Sequence, residues 1–209
     1  MIVAVITGDI IGSGKSRQTG QWLTRLKESF RIAGAKRSEV FRGDSFQLEL
    51  RKPERALEAA LIIRTSLKAM TAFYQRGMDV RVAVGIGQQE FKAKKVSESN
   101  GEAYRFSGRL LDKLKSAGGK MGVRTAWPDV DWVMQPSLGL VSAIMDDWTH
   151  ASSEIAWLYL SKTTIQRELS HELGISQPSV HKRLVKSHIS ELNALADCFS
   201  VRVRELLNA

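Results

Sequence analysis

The fold of the C-terminal third is decided by residues 164–186, which read TIQRELSHELGISQPSVHKRLVK. The first part of this stretch has apolar residues at the spacing of one helix face: Ile165, Leu169 and Leu173. Gly174 permits the left-handed backbone that ends a helix, and Ile175 then fills the space between two helices. Because Ser176 and Pro178 are typical of a helix start, the stretch predicts two short helices joined by a tight turn.

The second of these helices has an apolar and a polar side. Val180 and Leu184 lie four residues apart and are expected to face inward. The outward residues carry hydroxyl, amide, imidazole, ammonium and guanidinium groups: Gln177, Ser179, His181, Lys182, Arg183 and Lys186. Such groups contact base edges and phosphates, so the pattern predicts a DNA-binding helix-turn-helix, like that of bacterial regulators and sigma-factor region 4. The alternative is an ordinary helical hairpin with a glycine turn.

The neighbouring sequence is helical as well. Periodic apolar residues predict supporting helices at 138–148 and 154–160, and an amphipathic helix at 190–207 that completes the bundle or pairs two subunits. We therefore predict an all-α domain over residues 136–209. Its tryptophans are expected to lie in the core at the domain junction: Trp127, Trp132, Trp148 and Trp157.

The N-terminal part has a different pattern. Apolar runs, alternating segments and helical stripes follow one another in the order β-α-β-β-α-β-α-β, with a Gly43-Asp44 hairpin turn in the middle. The hairpin excludes a purely parallel sheet and favours a ferredoxin-like α/β sandwich over residues 1–130. The boundary to the helical domain is expected within residues 127–135.

Composition limits the function classes. The single cysteine, Cys198, excludes a disulfide framework and a zinc cluster and favours a cytoplasmic location. No apolar stretch has the length of a membrane span, so no membrane partner is expected. The net charge of +9 favours a polyanionic partner, and most of the basic excess lies in residues 1–119. This excess is either a solvated surface or a phosphate-binding face.

Two aspartates stand out in the predicted sheet domain. Asp9 ends the first strand, and Asp44 lies in the hairpin turn. In a ferredoxin-like sheet both would lie at one end, where two carboxylates and the backbone carbonyl of Ile10 suit Mg²⁺ with phosphate oxygens. The alternative is that both aspartates cap turns.

These residues resemble the motifs of class III nucleotide cyclases and the related diguanylate cyclase palm. Asp9-Ile10 and Gly43-Asp44 match the family's metal-binding segments, and residues 84–87 and 101–110 match a strand and a helix motif. The resemblance implies Mg²⁺ or Mn²⁺ at the aspartates. It also implies that Arg109 contacts the transferring phosphate, usually across a homodimer interface. We expect Arg105, one helical turn earlier, to contact phosphate as well.

The match departs from the family at the base-selecting positions. Arg105 replaces the family's asparagine, Val40 stands where many cyclases have a lysine, and Glu98 lies near the position of their base-selecting acid. Purine selection is therefore not supported, and cyclisation is in doubt.

The glycine-rich turn at 12–16 is not a P-loop. Asp9 occupies the position where that motif needs its first glycine. Lys15 and the amides near Gly12 are still expected to contact phosphate, because a helix begins there.

The whole chain is similar to the SatD-like family of bacterial proteins, which joins such a palm to a C-terminal helix-turn-helix. The leading prediction is a homodimeric transcriptional regulator that binds DNA and senses a nucleoside triphosphate or another nucleotide with Mg²⁺. An active nucleotidyltransferase or cyclase that makes a nucleotide signal is the second hypothesis. A palm used only for dimerisation is the third.

Overall fold

A computed structural model describes residues 1–12, 19–41, 43–70, 78–162 and 165–209. Within these residues the N-terminal part forms one mixed sheet. Its strands are β1 (Ile2–Ile11), β2 (Arg37–Phe41), β3 (Ser45–Leu50), β4 (Asp79–Phe91), β5 (Asn100–Gly101) and β6 (Met121–Thr125).

The strand order is β2-β3-β1-β4, with β6 beside β4 and the short β5 paired with the far end of β4. β1 is antiparallel to both of its neighbours, β2 is antiparallel to β3, and β6 is parallel to β4. A parallel pair needs a crossover, which a helix between β4 and β6 supplies. The mixed sheet and the predicted order of strands and helices are therefore present, with β5 as an addition.

Helices cover both faces of the sheet. One face packs against α1 (Thr19–Ile32) and α2 (Ala56–Lys68). A single 3₁₀ turn at Pro53–Arg55 leads directly into α2. The other face packs against α3 (Glu102–Ala117), which ends at Gly118 in the left-handed conformation. Helix α3 approaches β4 closely because Gly85 has no side chain: a Cβ there would lie 2.1 Å from the carbonyl oxygen of Ala103.

Five further helices follow the sheet in the described part of the chain: α4 (Pro128–Asp146), α5 (His150–Ser161), α6 (Gln166–Leu173), α7 (Gln177–Ser187) and α8 (Ile189–Asn208). α4 packs on β6, while α5 and α8 pack on α2. Helix α2 therefore lies between the sheet and these helices, and nearly all of its residues are buried. One continuous apolar cluster joins the sheet to all five helices.

The residues expected to contain the boundary, 127–135, include the first half of the continuous helix α4, because Pro128 stands in its first turn, where proline needs no amide hydrogen. Trp132, predicted to be core, is 80% exposed, whereas Trp157 is buried and Trp127 and Trp148 are half-buried.

No helix in the described ranges is both long enough and apolar enough to cross a lipid bilayer.

Candidate functional site

Asp9 lies near the end of β1, on the face of the sheet that α3 covers. The strand register places it opposite Ser45 of β3 and Arg81 of β4. Its Oδ2 atom is 3.1 Å from Nη1 of Arg81 and 3.9 Å from Nζ of Lys115 on α3. Its Oδ1 atom is buried and has no hydrogen-bond partner among the described residues. Asp9 is therefore a mostly buried carboxylate between two cations, with one oxygen left to accept a ligand.

Asp44 lies at the same end of the sheet. Its carbonyl oxygen accepts a hydrogen bond from the amide of Ile10 at 2.9 Å, and the Ser45 hydroxyl donates to its Oδ1 at 3.3 Å. The structure thus brings Asp44 and Ile10 beside Asp9, as the hairpin turn predicted.

The donor set at this end is small. Within the described ranges, no group of three or more His, Cys, Asp or Glu side chains is arranged to hold a metal ion. Mg²⁺ in proteins often takes only one or two carboxylates and completes its shell with water and phosphate oxygens. The buried Oδ1 of Asp9, unpaired among the described residues, is one carboxylate oxygen of the kind that such an ion binds, and Asp44 lies at the same end of the sheet.

A row of hydroxyl and amide groups extends from Asp9 along the same face. Gln47 donates from Nε2 to Oγ1 of Thr7 at 3.0 Å, and Thr7 donates to Oγ of Ser107 on α3 at 2.8 Å. The Ser107 hydroxyl in turn donates to the carbonyl of Tyr104. These bonds fix α3, and with it Lys115, over the strand that carries Asp9.

A second polar cluster lies further along this face and was not predicted. Glu49 of β3 is fully buried and accepts hydrogen bonds from Arg37, Gln89 and Tyr104, the last two at 2.8 Å and 2.7 Å. Burial raises the pKa of Glu49, but these hydrogen bonds outweigh that effect and lower the pKa below its usual value. Arg37 also donates to Ser99, so the cluster ties the loop after β4 to the sheet.

Of the two predicted arginines, Arg105 lies far from Asp9 within one chain. Arg105 is exposed and donates two hydrogen bonds to Glu90, at 2.8 and 3.1 Å. Glu90 is nine residues along β4 from Arg81, which corresponds to roughly 30 Å. Arg109, one turn further along α3 than Arg105, is exposed.

The predicted nucleotide-binding residues do not all lie at the Asp9 end of the sheet. Gly12 is at the Asp9 end, is exposed and has a φ of 91°. Glu98 is in the loop after β4, where its carboxylate is 3.6 Å from Lys95. Lys15 lies outside the described residues.

Two cations next to Asp9, Arg81 and Lys115, were missed from the sequence. The sequence alone gives little indication that these residues contact Asp9, because a basic residue in a strand or on a helix usually faces solvent. Only the antiparallel pairing of β1 with β4 shows that Arg81 stands opposite Asp9.

The helices α6 and α7 and the turn between them lie where the sequence predicts two short helices. Ile165, predicted to share the inward face of the first helix, instead precedes α6 and is 61% exposed, because it occupies the position just before the helix starts. Gly174 is left-handed with a φ of 62°, and the turn ends at Ser176, the residue before α7. Ser176 makes no capping bond to the backbone; its hydroxyl lies 2.9 Å from the hydroxyl of Ser179. Leu169 and Val180 are buried, and Ile175 packs against the core between the two helices.

The outer side of α7 carries the predicted polar residues and no acidic residue. Four of them are exposed: Gln177, His181, Lys182 and Lys186. Ser179 and Arg183 are half-buried, and Arg183 is held by Glu154 of α5 at 3.1 Å. The indole nitrogen of Trp148 donates to the carbonyl of Ser187 and fixes the end of the helix.

Comparison with known proteins gives distant likenesses of fold. No protein family model matches the chain, and no curated protein matches it. Among solved structures, the chain is similar to the adenylate/guanylate cyclase/hydrolase from Silicibacter pomeroyi, with 16% sequence identity and a TM-score of 0.41. The likeness covers 54% of this chain and 69% of that chain.

Proposed function

We propose that this chain is a DNA-binding regulator whose sheet end around Asp9 and Asp44 binds a nucleotide together with Mg²⁺ or Mn²⁺. The observation that carries the DNA part is the outer side of α7, which presents exposed basic and amide groups and no carboxylate. The left-handed turn before α7 is the connection expected of a helix-turn-helix. The N-terminal fold in this proposal is a cyclase-like, ferredoxin-like palm.

In the proposed complex, α7 lies in the major groove. Gln177, Ser179 and His181 near its start contact base edges, while Lys182 and Lys186 contact phosphates. Arg183 reaches DNA only after it leaves Glu154, because the two side chains form an ion pair in the free protein.

A charge-matched pair of variants tests the DNA contact. We expect Lys182→Ala/Lys186→Ala to weaken binding to a duplex from upstream of the protein's own coding sequence, measured by fluorescence anisotropy. The slope of log affinity against log salt concentration should become shallower by about 2, because each lost phosphate contact removes about 0.9. Lys92→Ala/Lys94→Ala removes the same charge from two exposed lysines in the loop after β4 and should leave the slope unchanged. Equal effects of both pairs would overturn the assignment of α7.

The nucleotide part rests on the surroundings of Asp9. Its Oδ1 atom is buried without a hydrogen-bond partner among the described residues, and Arg81 and Lys115 bring two positive charges to the same point. A metal ion bound to Asp9 and Asp44 would supply positive charge to phosphate oxygens. Arg81 would orient Asp9 through its other oxygen, and Lys115 would contact a phosphate directly.

Calorimetric titration with each ribonucleoside triphosphate, with and without Mg²⁺, tests this site. Asp9→Asn should weaken Mg²⁺-dependent binding by about tenfold or more, the usual effect of losing one charged contact. Asp112→Asn removes an exposed carboxylate from α3 and serves as the control. Unchanged binding by Asp9→Asn would overturn the sensor site. A new product from a triphosphate, absent in Asp9→Asn, would instead make the protein an enzyme.

A further inference from the structure

The outer surface of α4 is unusually apolar. Residues 132–145 contain no charged side chain, and two large apolar residues on the solvent side, Trp132 and Leu140, are 80% and 69% exposed. A helix that is apolar all round is normally buried on all sides. α4 packs on β6 through one side, and its other side has no cover among the residues that the structure describes.

A groove lies beside this surface, between α4 and α8. Its volume is about 590 Å³, and apart from Trp132 it is lined by Val130, Val133, Met134, Leu195, Cys198 and Phe199. At its rim Arg202 donates to Asp129 at 2.9 Å. The groove is therefore an apolar depression with one acidic and one basic group at its edge.

We propose that two copies of this chain pack through this surface about a two-fold axis, with Trp132 of each copy in the groove of the other. A two-fold interface uses the same patch twice, so it needs a projection and a matching depression side by side. Trp132 projects into solvent while it also forms a wall of the groove. A tryptophan in an apolar pocket is a frequent centre of binding energy in protein interfaces.

The charges at the rim suit a second copy better than another partner. The acid and the base at the rim, Asp129 and Arg202, pair with each other within the chain, so the rim has no unbalanced charge that would select a charged partner. A nucleic acid finds no excess of positive charge on this face. An interfacial membrane helix would carry basic residues beside its apolar side, and residues 132–145 carry none.

The size of the surface predicts a weak dimer. α4 has 19 residues and is about 28 Å long, and the patch is two helices or about 20 Å wide. The footprint is then roughly 550 Å² per copy, below the 800 Å² per partner of a standard stable interface. We therefore expect monomer and dimer to exchange in the micromolar range, independently of DNA or nucleotide.

Sedimentation of the full chain between about 1 and 100 µM, the range expected for a weak interface, tests the proposal. The mass should rise from 23.3 kDa towards twice that value with concentration. Trp132→Lys should weaken association by about 30-fold or more and remain monomeric, as expected for a central tryptophan. Leu140→Lys on the same surface should weaken it as well. Phe91→Lys replaces another large apolar residue, 61% exposed and outside the groove, and should dimerise like the parent chain.

Cys198 provides a second readout, because it is the only cysteine and lines the groove. Its alkylation rate should fall several-fold as the parent chain dimerises, and should stay high at every concentration in Trp132→Lys. A dimer that survives both lysine substitutions uses another surface and overturns the proposal. A chain that stays monomeric at every concentration also overturns the proposal. Protection of Cys198 only on addition of an apolar small molecule would overturn it as well.

Discussion

Replacing Asp79 by asparagine tests the buried ion cluster that connects α2, β4 and α4. Arg64 of α2 is fully buried, and its guanidinium donates to both carboxylate oxygens of Asp79, at 3.0 and 3.1 Å. It also donates to Asp146 of α4, and Lys120 contacts both carboxylates. Removing one partner of a buried pair typically costs about 3–5 kcal/mol. Because Asp146 still pairs with Arg64 after the substitution, we expect the lower end of this range, about 3 kcal/mol. That is a large part of the 5–15 kcal/mol by which a domain is usually stable.

Urea unfolding at pH 7, followed by circular dichroism, measures this cost. With a urea dependence of about 1–3 kcal/mol per molar, Asp79→Asn should lower the unfolding midpoint by roughly 1 M or more. Glu58→Gln is the matched control, since Glu58 forms a bidentate pair with Arg55 at the start of α2 that is partly exposed. Such a pair contributes about 0–1 kcal/mol. A loss in Asp79→Asn no larger than that in Glu58→Gln would refute the reasoning.

The pH dependence separates charge from packing. Burial raises the pKa of Asp79, but the hydrogen bonds and charge of Arg64 outweigh this and hold the pKa below its usual value. The Asp79 carboxylate therefore stabilises the fold above the pKa of the unfolded chain, near 3.9, and this contribution disappears as pH falls through the lower folded pKa. The difference in unfolding free energy between the parent and Asp79→Asn should shrink as the pH falls below about 4. An unchanged difference would show that the carboxylate charge is not its cause.

Two further predictions concern the face of the sheet under α3. Gly85→Ala should destabilise the protein by about 1–3 kcal/mol in thermal unfolding, because its Cβ would meet the carbonyl oxygen of Ala103. Gly108→Ala in α3, where no atom lies within 4 Å of the new Cβ, should instead stabilise it by about 0.5–1 kcal/mol. Tyr104→Phe removes a donor to Glu49 and should raise the pKa of Glu49. The stability that Glu49 contributes above its unfolded pKa is then lost at a higher pH, so the acid-unfolding midpoint followed by circular dichroism should rise.

Part of the candidate site could be read from the sequence because its geometry is local. The Gly43-Asp44 turn fixes the hairpin, and the end of β1 follows from its apolar run, so Asp9 and Asp44 were expected at one end of the sheet. The Glu49 cluster had a readable signal as well. In a hairpin folded about this turn, Arg37 stands opposite Glu49, which marks an ion pair across the two strands.

The features that the sequence did not predict depend on contacts between distant segments. Glu49 alternates with Leu48 and Leu50, a pattern typical of a solvent-facing residue, but Tyr104 and the loop after β4 cover it. The start of α4 at Pro128, within the expected boundary, reflects the tolerance of proline in the first turn of a helix. Trp132 was expected to be buried because tryptophan is usually buried, and no local pattern distinguishes a core tryptophan from one on an interface.

The position of α2 between two layers has a consequence for synthesis on the ribosome. α2 receives its outer cover from both α5 and α8, and the Pro53–Arg55 turn packs against α8, whose residues come more than a hundred positions later in the chain. At about 5–20 residues per second, the apolar outer side of α2 stays uncovered for roughly 10 s after it emerges. A nascent chain in that interval presents the kind of surface that chaperones bind, so a pause in translation before α8 should raise aggregation more than a pause after it.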